Sequence, residues 1–325
     1  MFDVVALGES LIDFTPCGKN DMGMQLFACN PGGAPANVLA MVSKLGGKTA
    51  FIGKVGKDDF GVFLKNTMEN TGIDVSGLAM TEDVHTTLAF VQLNEHGERS
   101  FSFYRKPGAD ITLTVEEVDE SLLRNCKIFH FGSVSLTDEP CRSATLQAVE
   151  KAKSAGAIIS YDPNYRPLLW DSPEHAKSEI RSALSEADLV KVSEEEMTLI
   201  TGETDYLAGA KELAQYGATL IMITLGPKGA FYFTHRANGK LPTYPVKTVD
   251  TTGAGDAFWG ALLHCVCKKS LEELRLLSDR EWQHITAFGN AAGSLTTTRK
   301  GAIPAMPSLE QIQDCMAKSK LLERP

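Results

Sequence analysis

The residues "TTGAGD", 251–256, combine small side chains with a carboxylate directly before an apolar run. If a helix begins near Gly253, the amides of Gly253, Ala254 and Gly255 point outward together at the positive end of the helix dipole and can hold an anion. Asp256 lies in the same first turn, where its carboxylate can take a proton from a hydroxyl that attacks this anion. The pattern predicts a general base beside an anion site.

A structural role is the alternative for this stretch. Thr252 can cap the helix and Asp256 can complement the dipole. Capping does not explain the glycines, because glycine inside a helix costs roughly 1 kcal/mol relative to alanine. Small residues can also permit close helix packing, but the combination favours a functional site.

A second glycine pair lies far upstream, in "NPGGAPANVLAMVSKLG", 30–46. Gly32 and Gly33 precede a predicted helix whose early face carries Asn37. Backbone amides and one amide side chain can meet a polyhydroxylated ligand there. A plain turn at a helix start is the alternative.

Composition limits what these motifs can belong to. The chain has 325 residues, of which 43% are hydrophobic, enough for one large α/β domain or two modest ones. A net charge of -9 disfavours nucleic acid and anionic membranes as partners. Seven scattered cysteines without a CxxC pair argue against a disulfide framework and a zinc site. With no signal-peptide pattern and no membrane-spanning run, a cytoplasmic location is expected.

Short β-branched or aromatic runs alternate with longer amphipathic stretches along the chain. This rhythm predicts a mostly parallel central sheet with helices on both faces. The predicted strands are "FDVVALG", "TAFIGKVG", "KIFHFGSVSL", "AIISYDPN", "LVKVS" and "TLIMITLG", and helical patterns cover 140–155 and 173–187.

One region breaks this rhythm. The runs "HTTLAFVQL" (85–93) and "RSFSFYR" (99–105) flank the polar turn "NEHGE" (94–98), which predicts a hairpin without a crossover helix. Residues 10–30 are too broken for a helix, and the two stretches can pair into a small separate sheet. A small sheet beside a large one suggests a lid.

The segments "GGAPAN" and "DTTGAGD", in this order with the hairpin between them, resemble the two signatures of the ribokinase-like, or pfkB, carbohydrate kinase family. The resemblance covers essentially the whole chain. It implies one ribokinase-like domain over 1–325, with the lid sheet inserted from about 10–31 and 84–108. It also implies transfer of the γ-phosphoryl group of ATP to an alcohol, with Asp256 as the base and Gly253 to Gly255 stabilising the charge.

The same resemblance implies the nucleotide and cation sites. The segment "TLGPKGAF" (224–231) is similar to the family's nucleotide turn, which implies Thr224, Gly226 and Gly229 beside ATP, and Asn290 matches a residue near the adenine. The family's NxxE motif, tied to Mg²⁺ through water, corresponds to "SEEE" at 193–196 in this chain. Glu196 keeps the acidic role, and a serine replaces the asparagine.

A monovalent cation, K⁺, is implied near the anion site. Its ligands would come from Asp250, Thr252 and the carbonyls of Thr296, Arg299 and Gly301. Ala305 stands where some members have a serine hydroxyl. The family likeness further implies a homodimer formed through the lid sheet.

The identity of the sugar substrate is inferred from further similarities to the family. Asp13, Gly32, Gly33 and Asn37 match positions that hold sugar hydroxyls, and the segments 131–144, 160–170 and 187–196 are most similar to fructokinases. Phosphorylation of D-fructose on its 6-hydroxyl, giving fructose 6-phosphate and ADP, is therefore expected.

Other functions stay open at this point. One alternative substrate is 2-dehydro-3-deoxygluconate, whose carboxylate Arg105 or Arg166 could bind, although both arginines could instead be structural. Ribose and nucleosides are further alternative substrates. A catalytically silent sugar- or nucleotide-binding regulator of the same fold also stays open.

Overall fold

The computed structural model of the protein describes residues 1–93 and 99–319. Its strands are β1 (Phe2–Leu7), β2 (Leu11–Lys19), β3 (Gln25–Gly32), β4 (Thr49–Gly56), β5 (Ile73–Thr81), β6 (Leu88–Leu93), β7 (Arg99–Tyr104), β8 (Cys126–Gly132), β9 (Ile158–Asp162), β10 (Leu189–Ser193), β11 (Leu220–Thr224), β12 (Ala230–Phe233) and β13 (Asn238–Leu241). Nine of them form the main sheet, in the order β13-β12-β11-β10-β9-β8-β1-β4-β5. From β11 to β5 all neighbours are parallel, and β12 and β13 are antiparallel additions at one edge. The predicted mostly parallel sheet is confirmed.

Helices cover both faces of this sheet, as predicted. They are α1 (Ala34–Lys44), α2 (Asp59–Asn70), α3 (Glu120–Arg124), α4 (Cys141–Ser154), α5 (Pro173–Leu184), α6 (Glu194–Thr201), α7 (Tyr206–Ala214), α8 (Ala254–Val266), α9 (Leu271–Leu276), α10 (Asp279–Thr296) and α11 (Leu309–Ser319). The apolar sides of α1, α8 and α10 bury one core cluster against the sheet. Those of α4 to α7 bury a second cluster on the opposite face. Burial of these two clusters by the hydrophobic effect holds the layers together.

The predicted small sheet is also present, with the order β3-β2-β6-β7. It consists of two antiparallel pairs, β2 with β3 and β6 with β7, joined by a parallel pairing of β2 with β6. The predicted turn at 94–98 lies outside the described residues. Across the described ranges, no helix is long and apolar enough to cross a membrane.

Several segments that carry candidate site residues follow the carboxyl ends of parallel strands. Glu9 follows β1, Asn164 follows β9, and Thr224 ends β11. Ligands in open α/β sheets bind in the crevice outside this edge. The predicted strand at 127–136 ends earlier, at Gly132, because the next four residues form a short 3₁₀ turn and the Ser133 amide donates to the Pro163 carbonyl (2.9 Å). That contact ties two of the loops at this edge together.

Candidate active site

A cavity of about 780 Å³ lies between the carboxyl edge of the main sheet and one face of the small sheet. Leu11, Asp13 and Thr15 of β2, together with Val91 and Phe103, contribute the small sheet's part of its wall. The cavity brings together residues that lie more than 200 positions apart in the chain. Predicted site residues in its wall are Asp13, Gly33, Asn37, Arg166, Glu196, Thr224, Thr252, Gly253, Gly255 and Asp256.

Asp256 is buried in the first turn of α8, and its carboxylate is held from two sides. The Nδ2 group of Asn37 donates to Oδ2 (2.8 Å), and the Nδ2 group of Asn164 donates to Oδ1 (3.1 Å). An ionised carboxylate accepts at about four lone-pair positions, so each oxygen keeps capacity for a further donor. This arrangement suits a base that receives a proton from a substrate hydroxyl.

The turn before α8 carries the three amides that are predicted to hold an anion. Gly253 is the N-terminal cap, with a left-handed φ of 73°. The Ala254 amide makes a long bond of 3.3 Å to the Thr251 carbonyl. Over the described parts of the chain, the amides of Gly253 and Gly255 have no protein acceptor. Free amides at a helix start form a site for an anion.

Gly255 lies against a lysine that the motif search did not single out. A Cβ atom at this position would lie 3.2 Å from the Nζ atom of Lys191. Lys191 belongs to β10, is buried, and forms an ion pair with Asp162 (2.6 Å). Burial acts to lower the pKa of Lys191, but the carboxylates of Asp162, Glu196 and Asp256 outweigh it and raise that pKa. A charged ammonium group therefore lies beside the glycine turn.

Asp13 and Arg166 form the charged part of the cavity wall on the side that is predicted to bind the sugar. Burial raises the pKa of Asp13 to about 6, an effect that the nearby Arg166 guanidinium reduces and the Asp256 and Asp250 carboxylates increase. Gly32 belongs here too, because any side chain at that position would collide with the Asp13 carboxylate. The two groups can meet hydroxyls of a neutral sugar.

The start of α1 forms the neighbouring part of the cavity wall. Gly33 caps the helix with a φ of 111°. The Ala34 amide donates to Oε1 of Glu9 (2.9 Å), and the Oε2 atom of this buried side chain has no partner among the described residues. The pKa of Glu9 is raised to about 7, mainly by burial. This carboxyl group therefore supports the turn that carries the glycine pair.

Arg105 is not placed for the predicted substrate contact. Its buried guanidinium donates to Oδ2 of Asp110 (2.7 Å), to Oγ1 of Thr137 (2.8 Å) and to the Val134 carbonyl (3.0 Å). Arg105 is not among the described residues that line the cavity. A buried ion pair with Asp110 thus takes the place of the expected carboxylate ligand, and only Arg166 of the two arginines faces the cavity.

Of the described residues that are predicted to bind the nucleotide, only one lies in the cavity wall. Thr224 lies in the cavity wall at the end of β11. Gly226 and Gly229 flank the short turn between β11 and β12, outside the described wall. Asn290 is buried in α10, where its Nδ2 group donates to the carbonyls of residues 241 (3.3 Å) and 242 (3.1 Å). The structure therefore places Asn290 behind the loop that follows β13.

Glu196 makes two structural hydrogen bonds and also lines the cavity. Its Oε1 atom accepts from the Tyr165 amide (2.6 Å) and its Oε2 atom from the Ser193 amide (2.7 Å). Ser193 Oγ accepts from the Glu196 amide (3.1 Å), which completes a capping box at the start of α6. The serine is thus used as a helix cap. Glu195 and Glu196 both line the cavity, and such carboxylates fit Mg²⁺ that keeps several waters.

The residues predicted around a monovalent cation are close together. Oδ1 of Asp250 accepts from the Thr252 amide (3.0 Å) and hydroxyl (2.7 Å), and Oδ2 accepts from the Gly301 amide (3.0 Å). The Val249 and Asp250 amides donate to the Thr297 carbonyl (2.7 and 3.1 Å). These bonds tie residues 296–301, including Thr296 and Arg299, to the segment before α8. Backbone carbonyls and one carboxylate in such a loop are hard oxygen donors that fit an alkali cation.

The residues of the site that escaped the motif search include Asn164, Asp162, Lys191 and Glu9. The available signal was a lysine within the otherwise apolar strand "LVKVS" and an aspartate that ends the apolar strand "IISYD". Buried charged residues are rarely placed without a partner. A search for paired charges in core strands would have raised both residues as candidates.

Comparison with known proteins agrees with this architecture. A family model described as pfkB family carbohydrate kinase matches residues 1–309. The chain therefore belongs to the pfkB family of carbohydrate kinases. A relative named probable fructokinase-3, from Arabidopsis thaliana, is 46% identical over 309 residues, which cover 94% of this chain and 88% of that protein.

Solved structures give the same result. A fructokinase from Xylella fastidiosa with bound ATP has a TM-score of 0.91 and 35% identity, and the match covers 98% of this chain and 100% of that one. A double mutant of the fructokinase from Vibrio cholerae O395, bound to fructose, ADP and a potassium ion, has a TM-score of 0.85 and 33% identity, over 96% of this chain and 97% of that one. The ribokinase-like fold is thereby confirmed.

Proposed function

We propose that this protein is a fructokinase, which transfers the γ-phosphoryl group of ATP to the 6-hydroxyl of D-fructose and gives fructose 6-phosphate and ADP. The observation that carries the proposal is the Asp256 carboxylate, held by two amides beside the free amides of the turn before α8. The fructokinases to which the chain is similar support fructose as the sugar.

The residues of this chain divide the reaction between them. Asp13 and Asn37 bind hydroxyls of the sugar, so that its 6-hydroxyl points to Asp256. Asp256 accepts the hydroxyl proton while the new bond forms between that oxygen and the γ-phosphorus, and the bond from phosphorus to ADP breaks. The amides of Gly253, Ala254 and Gly255 donate to the phosphoryl oxygens. Positioning and charge stabilisation thus account for the rate enhancement.

Cations and nucleotide contacts complete this proposal. Glu196 would hold the waters of an ATP-bound Mg²⁺ ion, which would supply neutralisation of phosphate charge. Asp250 and Thr252, with the carbonyls of residues 296, 299 and 301, would hold K⁺ close to the anion site. Thr224, Gly226 and Gly229 would lie along ATP, and Asn290 would shape the adenine end through the loop after β13.

The small sheet is proposed as the lid of the single domain over residues 1–325. Its inner face already carries Asp13, so closure over the sugar would exclude water from the phosphoryl group. The face away from the cavity carries an aromatic cluster in which Phe14 packs against Phe60 of α2, while Phe27 and Tyr104 are exposed. We propose that this face packs against a second copy in a homodimer. The use of ATP favours a cytoplasmic location.

Product analysis tests the activity directly. The purified protein is given ATP, Mg²⁺ and K⁺ with D-fructose, 2-dehydro-3-deoxygluconate or D-ribose, and ADP release is followed. Phosphoglucose isomerase and glucose-6-phosphate dehydrogenase then detect fructose 6-phosphate but not the 1-phosphate. We expect the highest kcat/KM for fructose. A preference for 2-dehydro-3-deoxygluconate that Arg166→Ala abolishes would identify that acid as the substrate instead of fructose. No turnover of any sugar would favour a catalytically silent binding protein.

A further inference from the structure

Asn164 stands out for its backbone conformation. Over residues 1–93 and 99–319 it is the one non-glycine residue with a positive φ, of 47°. The left-handed region costs most residues roughly 1–2 kcal/mol, and asparagine tolerates it better than others. Such conformations persist where surrounding contacts impose them, and they cluster at functional sites.

The contacts that impose this conformation surround Asn164 in the chain. The Asn164 amide donates to Oδ1 of Asp162 (3.1 Å), whose other oxygen binds Lys191. The Tyr165 amide donates to Glu196, and the Pro163 carbonyl accepts from Ser133. Every residue from 162 to 165 is therefore bonded to a different part of the site, and the Asn164 backbone has little freedom.

These contacts fix the position of the Asn164 side-chain amide group. Asn164 Nδ2 donates to Oδ1 of Asp256 at 3.1 Å, while Asn37 Nδ2 donates to Oδ2 from the opposite side. Two donors on the two oxygens fix the plane of the carboxylate as well as its position. A base must present a lone pair along the line of the hydroxyl proton, so rotation of this plane would misalign the transfer.

We propose that Asn164 is a positioning residue that orients the Asp256 carboxylate for proton abstraction. The Asp162–Lys191 ion pair acts through Asn164, because it anchors the left-handed turn. This inference rests on the proposed function, since it takes Asp256 as the base.

Three substitutions separate the amide from the backbone. Asn164→Gly removes the amide and keeps a residue that accepts positive φ. Asn164→Asp keeps size and shape but sets an oxygen against the Asp256 carboxylate. Asn164→Ala removes the amide and also strains the backbone. For each variant kcat, the fructose Kd by titration calorimetry and Tm are measured beside the wild type.

We expect Asn164→Gly to lower kcat by about 10- to 100-fold, with a fructose Kd within threefold of wild type and little change in Tm. Asn164→Asp should lower kcat further, because it replaces attraction by repulsion. Asn164→Ala should match the glycine variant in kcat and have a lower Tm.

Three results would overturn the proposal. A glycine variant with wild-type kcat would show that the amide does not orient the base. A loss confined to fructose Kd would make Asn164 a sugar ligand instead. A kcat loss in the alanine variant alone would assign the effect to the backbone. Wild-type protein that does not phosphorylate fructose would instead overturn the proposed function.

Discussion

The two aspartates of the cavity have different surroundings, and this difference fits the separate roles proposed for them. Asp256 receives two side-chain amides on its two oxygens. Asp13 faces Arg166, and burial raises its pKa to about 6. A carboxylate with fixed donors is held in one orientation, which suits a base. One that lies beside a cation and open space suits recognition of sugar hydroxyls.

Asp256→Asn tests the base. The variant keeps the size of the side chain and one acceptor oxygen, so the fold should be unchanged. We expect kcat to fall by about 10²- to 10⁴-fold, the usual contribution of general-base catalysis. The measurement is steady-state ADP release, with Asp13→Ala as the matched variant, which should act chiefly through KM for fructose. Near-normal kcat in Asp256→Asn would contradict the assignment.

Glu9 predicts a pH dependence of stability. Its pKa is raised from 4.5 to about 7, mainly by burial and also by the Asp110 carboxylate, against the opposing effects of the Ala34 amide and Arg105. The folded state therefore binds more protons than the unfolded state between these two values. The Glu9 contribution to the free energy of unfolding is highest below about pH 4.5 and falls by up to about 3 kcal/mol as the pH rises to 7.

Glu9→Gln removes this titration and keeps an oxygen for the Ala34 amide. Relative to wild type, the variant should gain stability by up to about 3 kcal/mol between pH 4.5 and pH 8. Urea unfolding of both proteins at several pH values measures the difference. Stability curves that run parallel over this range would rule out the raised pKa.

At the scale of elements, β10 and α8 meet through an ion pair and a glycine. Lys191 lies inside the buried strand β10, where the Asp162 carboxylate of the adjacent β9 neutralises it. The missing side chain of Gly255 leaves room for its ammonium group at the start of α8. Strand pairing, charge pairing and the glycine turn therefore depend on one another.

Lys191→Met should be strongly destabilising, because it leaves the buried Asp162 carboxyl group without its partner. The expected cost in the free energy of unfolding is about 3–5 kcal/mol. Lys57→Met is the control, since Lys57 and Glu82 form an exposed pair whose loss should cost less than about 1 kcal/mol. Adding Asp162→Asn to Lys191→Met should recover part of the loss. Equal unfolding midpoints for the two lysine variants would contradict this account.

At the scale of the whole molecule, the small sheet has two different faces. Asp13 and Thr15 line the cavity, whereas Phe14, Phe27 and Phe90 cluster on the opposite face, where Phe14 also packs against Phe60 of α2 and Phe27 is exposed. Aromatic rings that remain exposed are typical of an interaction surface. These two faces fit the two roles proposed for the sheet, closing the site and joining two subunits.

Light scattering after size exclusion tests the dimer. We expect a mass near twice the 35.2 kDa of the chain. Phe27→Glu should shift the protein towards the monomer, because a charge in an apolar interface is left without solvent or partner. Leu276→Glu, at an exposed position on α9, should leave the mass unchanged. A monomeric wild type, or equal effects of both variants, would contradict the proposed interface.

Sequence alone determined the features that depend on local pattern. Alternating strand and helix runs predicted the parallel sheet, and a hairpin without a crossover predicted the small sheet, because periodicity reports which side of an element is buried. The glycine turn at 253–255 was readable for the same reason, since a helix start needs only neighbouring residues.

Only the tertiary structure decided which side chains meet. Asp256 bonds Asn37, 219 positions away, and Asn164, 92 positions away. Arg105, expected at the substrate, instead pairs with Asp110 inside the protein. Strand order and helix packing set these partners, and a sequence pattern holds no record of which strands lie side by side. For that reason the residue types of the site were predictable, while its hydrogen-bond and charge network was not.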